Sequence, residues 1–315
     1  MRLSLDVVVP TFNGWDLTKR CLEHLRAQTV SHSVIVVDNG STDETVAQVR
    51  RSFPEVRLVE LATNLGFPAA CNRAASVGTG DVLVLLNNDV FPRPDFLEYL
   101  TRPLRGDPRL GSVAALLLQP GERTIDSVGL TADPTLAGFP RLRGHPAADA
   151  TAPRPVLTGP CAGAGAYRRD AWDDVGGLDE GVLGYGEDLD LALRLLAAGW
   201  KTAAAPSAVG VHLGSASFGR RSAWQRYHGG FARGYFLHRY GILRTRWSVR
   251  TLVTEALVVV GDAILSGDVN AARGRIAGWR SANGLPPRSL PPPDGVDSTI
   301  TFLESVRLRR VVYRT

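Results

Sequence analysis

Three short apolar runs, each ending directly in a polar cluster, constrain this chain more than any other feature. Residues 5–9 (LDVVV) lead into Pro10, Thr11, Phe12 and Asn13. Residues 33–37 (SVIVV) lead into Asp38, Asn39, Gly40 and Ser41, and residues 81–86 (DVLVLL) into Asn87, Asn88 and Asp89. Apolar runs without alternation suit strands buried on both faces. Between them the spacing turns helical: Leu17, Cys21, Leu22 and Leu25 share one face over residues 15–28, and residues 68–77 read as another helix. Ser41 and Glu44 have capping-box spacing for a helix over 44–52, and 56–61 reads as a further strand. Alternating strands and helices predict an α/β chain: a Rossmann-like, mostly parallel sheet with helices on both faces. Ligands of such sheets bind beyond the carboxyl ends of the strands. The polar clusters are therefore the candidate site residues, gathered along one sheet edge.

The rhythm loosens after Asp89. Residues 94–100 predict a short helix and 110–118 a strand. Residues 131–155, rich in Pro, Gly, Arg and Ala, read as a long surface loop. The Gly- and Ala-rich stretch 159–168 suggests close backbone approach, with Gly163 and Gly165 open either to a ligand or to strand packing. Residues 188–198 (DLDLALRLLAA) predict an amphipathic helix ended by Gly199, followed by extended pieces at 202–205 and 209–212. From about Arg220 the pattern is helical without strands. The segment 247–266 is interrupted by Glu255 and Asp262 and falls short of the ~20 apolar residues that span a bilayer. Arg244, Arg246 and Arg250 precede it, and Arg273, Arg275 and Arg280 follow. A packed helix, a homodimer contact and a membrane-surface helix all remain open. The expected division is 1–218 and a mainly helical 219–315.

Several classes are excluded. No G-x-G-x-x-G follows the first strand, no P-loop and no G-x-S-x-G elbow occur, and no cysteine pair has zinc spacing. Three cysteines cannot all pair, so reduced thiols and a cytoplasmic location are expected. The start MRLSLDVVVP lacks the build of a signal peptide. The net charge is +5, but the arginines are scattered and no nucleic-acid motif appears, so no nucleic-acid partner is expected.

The strings VVVPTFNG, VVDNGSTDET, NLGFPAACN, LLNNDV, VGGLDEGVLGYGEDLDLALRLLAAGW and HLGSAS occur in the order seen in inverting family 2 glycosyltransferases of the GT-A fold. The resemblance covers roughly residues 5–217 and is greatest to bacterial rhamnosyltransferases. It implies transfer of a sugar from a nucleotide diphosphate to an acceptor hydroxyl, with inversion, in a single metal-assisted displacement. The implied donor is a pyrimidine nucleotide-sugar, dTDP-rhamnose first and UDP-sugars next. The acceptor would be a saccharide, a polyprenyl-linked saccharide or a hydroxylated small molecule, met at the inner face of the membrane if lipid-borne. A non-catalytic nucleotide-sugar-binding protein is the rival from another class.

Site roles follow from the same resemblance. Asn87, Asn88 and Asp89 stand where relatives carry D-x-D, so Asp89 is the one carboxylate there. With His212 it would hold Mg2+ or Mn2+. Asp38 would accept the imide N–H of the base. Pro10, Thr11, Asn13, Asn64 and Asn88 would line the nucleotide-sugar. Glu187 and Asp188 carry the general base, with Asp188 preferred and the helix N-terminus expected to keep it ionised. Asp190 reads as structural. Tyr185 and Trp200 suit either the sugar pocket or core packing.

Overall fold

The computed structural model describes residues 3–182, 184–214 and 222–312. The apolar runs form β1 (Leu5–Thr11), β2 (Ser33–Asp38), β3 (Arg57–Glu60) and β4 (Val82–Leu86). Between them lie α1 (Trp15–Arg26), α2 (Thr45–Ser52) and α3 (Phe67–Val77). The chain continues through β5 (Val90–Pro92), α4 (Phe96–Gly106), β6 (Leu110–Leu118), β7 (Ile125–Ser127), β8 (Leu130–Ala132) and β9 (Gly138–Pro140). Then come β10 (Ala164–Arg168), α5 (Arg169–Asp174), α6 (Glu187–Ala197) and β11 (Lys201–His212). Four helices close the chain: α7 (Ala223–Arg239), α8 (Ser248–Ser266), α9 (Asn270–Ser281) and α10 (Phe302–Val312).

The main sheet runs β3-β2-β1-β4-β10-β6-β11-β5, with β7 paired to β6. Strands β3, β2, β1 and β4 are mutually parallel, as are β6 and β11, while β10 runs antiparallel between β4 and β6. Successive strand residues point to opposite faces, so the continuous runs feed two cores. Val7, Val9, Val84 and Leu86 pack with Cys21, Leu25, Phe96 and Leu100 from α1 and α4. Val8, Ile35, Leu83 and Leu85 pack with Cys71 and Ala74 of α3, Trp172 of α5 and Leu191 of α6. Each fully buried Val or Leu contributes roughly 1.5–3 kcal/mol, and this two-sided burial holds the strand ends at a common edge.

Four expectations are corrected. Residues 131–155 are not a surface loop: β8 and β9 pair as a hairpin, and Thr131, Asp133, Thr135 and Phe139 are buried. Leu130, Ala132 and Leu136 pack against Leu189 and Leu193 of α6 and Phe231 and Phe236 of α7, which ties the C-terminal helices to the sheet domain. Ser41 does not cap α2; its hydroxyl accepts the Asn13 N–H at 2.8 Å, and Asp43 Oδ1 accepts the Thr45 N–H instead. Pro10 does not end β1, which runs on to Thr11 because Pro10 needs no ladder donor. The two extended pieces after α6 are one strand, β11, whose register against β6 shifts between Ala205 and Val209.

Helices α7 and α9 meet at unusually close range. A Cβ on Gly234 would lie 2.0 Å from the Arg275 carbonyl oxygen, and one on Gly278 would lie 1.9 Å from that of Phe231. Gly230 and Gly274 are equally closed, against Ala271 and Tyr227. Among the described residues no helix is long and apolar enough to cross a membrane. The expected 218/219 boundary, Leu183 and the Ser215, Ala216 and Ser217 end of the last motif lie outside the described residues.

Candidate active site

A cavity of about 870 Å3 opens at the carboxyl edge of the sheet. Its lining includes Pro10, Thr11, Asn64, Asn88, Asp89, Glu187, Asp188 and His212. Asn13 and Asp38 do not reach the lining, although Asn39 does. Asn13 spends its side chain on the neighbouring loop: Oδ1 accepts the Thr42 N–H at 2.8 Å. Asp38 is buried; Oδ2 accepts the Ser41 N–H at 2.9 Å, and Oδ1 has no hydrogen-bond partner. Asn64 is held by its Oδ1, which accepts from Asn39 Nδ2 at 3.0 Å. Asn88 Nδ2 donates to Thr18 Oγ1 at 3.1 Å, and Thr18 shares a 2.7 Å hydroxyl contact with Thr11.

Asp89 and His212 come together although 123 residues of chain number apart, because β11 pairs with β5 immediately beyond Asp89 and sets His212 opposite Val90. His212 Nε2 lies 3.4 Å from Asp89 Oδ1, outside ordinary N–H···O range, and that oxygen is buried without a hydrogen-bond partner. His212 Nδ1 is 2.7 Å from Asp126 Oδ2, and Asp126 Oδ1 pairs with Arg143 at 3.2 Å. Burial alone would lower the His212 pKa; the hydrogen bond to Asp126 and the charges of Asp126 and Asp89 win and raise it to about 9. Asp126 and Arg143 line the same cavity and were not anticipated. Their segment has no periodic pattern that would have singled them out.

The unpartnered Asp89 oxygen facing an imidazole nitrogen suits a divalent cation that accepts O and N ligands, one that displaces the Nε2 proton the ring otherwise keeps up to about pH 9. Among the described residues no group of three or more His, Cys, Asp or Glu could enclose a metal. A cation here would therefore take its other ligands from substrate phosphate and water.

The carboxylate pair is placed by a turn that few residues tolerate. Gly184, Tyr185 and Gly186 all have positive φ (147°, 66° and 94°), which reverses the chain and opens α6 at Glu187. Asp188 accepts two backbone N–H groups, Ala162 at Oδ2 (2.8 Å) and Leu189 at Oδ1 (2.7 Å). Glu187 Oε2 is buried without a partner. Burial, then the Asp188 charge, pushes Glu187 up to about 8. Burial raises Asp188 as well, against the pull of its N–H donors. At Glu187 desolvation outweighs the helix dipole. The proton of the pair settles on Glu187, which leaves Asp188 the charged member.

The other candidates separate clearly. Asp190 is buried between Arg194, Arg288 and the Tyr240 hydroxyl, a structural role. Tyr185 lines the cavity beside Trp224, whereas Trp200 packs away from it and donates to Asp174 at 2.9 Å. Gly163 lines the cavity, and a Cβ there would press on Leu117 at 2.8 Å and approach His212 at 3.5 Å. Gly165 packs against Pro160.

A largely parallel sheet with an antiparallel insertion and a cavity at its carboxyl edge is the architecture of GT-A glycosyltransferases. A mannosyltransferase from Pyrobaculum calidifontis, solved with GDP-Man and Mn2+, superposes with a TM-score of 0.57 at 19% identity, covering 99% of this chain and 85% of its own. GalNAc-T7 with UDP, GalNAc and Mn2+ gives 0.58 at 14% identity, covering 84% of this chain and 57% of its own. The protein has the GT-A fold. Residues 6–176 match the model of glycosyl transferase family 2, and residues 150–270 that of glycosyl transferase family group 2. The Mycobacterium tuberculosis N-acetylglucosaminyl-diphospho-decaprenol L-rhamnosyltransferase is 32% identical over 250 residues, 70% of this chain and 79% of that one. The chain belongs to glycosyl transferase family 2.

Proposed function

We propose that this enzyme transfers rhamnose from dTDP-rhamnose to a hydroxyl of a polyprenyl-linked saccharide, with inversion. UDP-sugars are the competing donor class, and the reaction is read as cytoplasmic. The likeness to the mycobacterial rhamnosyltransferase supports the sugar and the acceptor class. One observation carries the chemistry: Asp89, His212 and the Glu187–Asp188 pair face a single cavity shared with the ends of β1 and β4.

In this reading residues 1–218 hold the donor and 219–315 complete the acceptor side. Asp38 Oδ1, buried and unpartnered next in sequence to the lining residue Asn39, is the proposed acceptor for the N3–H of a uracil or thymine ring, a donor that adenine lacks. Pro10, Thr11, Asn64 and Asn88 frame the nucleotide, and Asn13 fixes the loop beside it. Asp89 and His212 would hold Mg2+ or Mn2+, which when bound supplies Lewis-acid stabilisation of the departing diphosphate. Asp188 takes the proton of the acceptor hydroxyl as its oxygen attacks the anomeric carbon, while the bond to the nucleotide diphosphate breaks on the opposite face.

The test is a thermal-shift panel of dTDP-rhamnose, UDP-glucose, UDP-N-acetylglucosamine and GDP-mannose, each with Mn2+ or with EDTA. Pyrimidine donors should raise the melting temperature, dTDP-rhamnose most, and Asp89→Ala or EDTA should remove most of the rise. Equal shifts with the guanine donor, or equal donor binding in EDTA, overturn the assignment.

A further inference from the structure

Helix α8 is built inside out. Its inward side carries Thr251, Thr254 and Glu255, all buried. Glu255 accepts from Arg233 at 2.6 Å and Arg275 at 2.8 Å and also pairs with Arg309. The two threonine hydroxyls donate to the helix's own carbonyls, of Trp247 and Arg250. Outward stand Val249, Leu252, Leu257, Val260, Ile264 and Leu265, between 45% and 77% exposed. Apart from Leu265 in the last turn, their spacing follows one face of a helix. An amphipathic helix buries its apolar stripe in a monomer; here the polar stripe is buried and the apolar one faces out.

The surroundings of this stripe are cationic. Exposed Arg244 and Arg246 precede the helix. The neighbouring α9 adds exposed Arg273 and Arg280 beside Ile276 and Trp279, and its sequence contains no acid. The acids of α8 are turned inward: Glu255 to its arginines, and Asp262 toward Arg226 at 3.8 Å. A second copy related by a two-fold axis would bring the same patch against itself, arginines near arginines without exposed carboxylates from α8 or α9 to answer them. An anionic lipid surface supplies both missing partners, acyl chains for the stripe and headgroup charge for the arginines. Trp279 adds the amphipathic ring favoured at such interfaces.

We infer that the outward face of α8, with the arginines that precede it and those on α9, docks the enzyme on an anionic lipid surface. Helices α8 and α9 also line the cavity, through Val258 and Arg275, together with Arg309 of α10. Docking therefore sets the cavity wall one helix thickness from the lipid. The inference goes beyond the proposed donor and acceptor and needs neither for its test.

The experiment is co-sedimentation of the full chain with phosphatidylcholine vesicles, with and without phosphatidylglycerol, alongside light-scattering mass. The wild type should pellet with the phosphatidylglycerol vesicles, less with phosphatidylcholine alone, and less again as salt rises. The triple variant Leu252→Ser, Val260→Ser, Ile264→Ser should lose partitioning by roughly tenfold or more. Its circular dichroism and melting temperature should match the wild type, since these side chains touch solvent. Wild type that stays in the supernatant, or a variant that partitions equally, overturns the inference. A two-chain mass that falls to one chain in the variant overturns it too, and assigns the face to a second copy. A failed donor panel would leave this result unaffected, so the two readings fail separately.

Discussion

His212 donates through Nδ1 to Asp126 Oδ2 at 2.7 Å, which fixes the ring and leaves Nε2 facing Asp89. A carboxylate behind a metal-ligating imidazole sets its tautomer and raises its basicity, and loss of such a partner costs about 10–100-fold in metal affinity. Asp126→Asn should weaken Mn2+ binding by about that factor, read by calorimetric titration of Mn2+ into the enzyme with dTDP present. Its circular dichroism should stay unchanged. Unaltered Mn2+ affinity in the variant would remove Asp126 from the site.

Asp188→Asn separates catalysis from binding. The amide keeps the side chain's size, and its oxygen can still accept one of the two N–H donors, Ala162 or Leu189. Donor binding should therefore persist in the thermal-shift assay, while turnover falls by ~10²–10⁴-fold, the usual worth of a positioned base. A non-catalytic sugar-binding protein would show no such split. Retained turnover in Asp188→Asn, with turnover lost in Glu187→Gln instead, would move the base to Glu187.

The strand ends of β1, β2 and β4 were legible because a strand buried on both faces leaves a continuous apolar run and an abrupt polar stop. Asp89 follows from that edge, whereas the pair at the start of α6 is singled out by the resemblance to family 2 glycosyltransferases. Asp126 was not legible: β7, β8 and β9 have three residues each, too few for a period to show. β8 is buried against α6 and α7, β7 against β6 and Leu142, and β9 against Ile300 and Leu308, packing that no local pattern announces. The paired glycines of α7 and α9 read locally as weak helix formers, yet they serve a close crossing seen only once both helices are in place. In α8 the interrupting Glu255 looked like a break in an apolar helix, whereas it is the buried centre of an arginine cluster.

The raised Glu187 carboxyl makes stability depend on pH. Between the ordinary value of 4.5 and about 8 the folded state keeps a proton that the unfolded chain releases. Stability contributed by this group is thus present in full below 4.5, falls as pH rises through the window, and is flat above about 8. Glu187→Gln removes the titration and keeps a neutral side chain in the buried site. The melting temperature of the variant should match the wild type near the acid end of that window and exceed it increasingly toward the alkaline end, measured without donor or metal. A constant difference across the series would show that Glu187 does not carry the shifted proton.

The α7–α9 crossing depends on glycine at four positions, and Gly234 is the most informative one to change. A Cβ there would meet the carbonyl oxygen, carbon and Cα of Arg275 at 2.0, 2.7 and 2.8 Å, all backbone atoms that cannot rotate aside. The helices must part, and Arg275 moves with α9 away from Glu255, which it contacts at 2.8 Å. Glu255 is held well below the usual carboxylate range by Arg233, Arg309 and Arg275 despite its burial, so loss of one arginine is felt at the centre of the cluster. Overpacking of this kind costs typically about 1–3 kcal/mol, and Gly234→Ala should lower unfolding stability by at least that much in urea titration. Gly261→Ala, on α8 with open space around its missing Cβ, is the matched control. Helix propensity alone should make it neutral or slightly stabilising, by up to about 1 kcal/mol. Equal behaviour of the two variants would mean that the close backbone contact is not what holds α9 against α7.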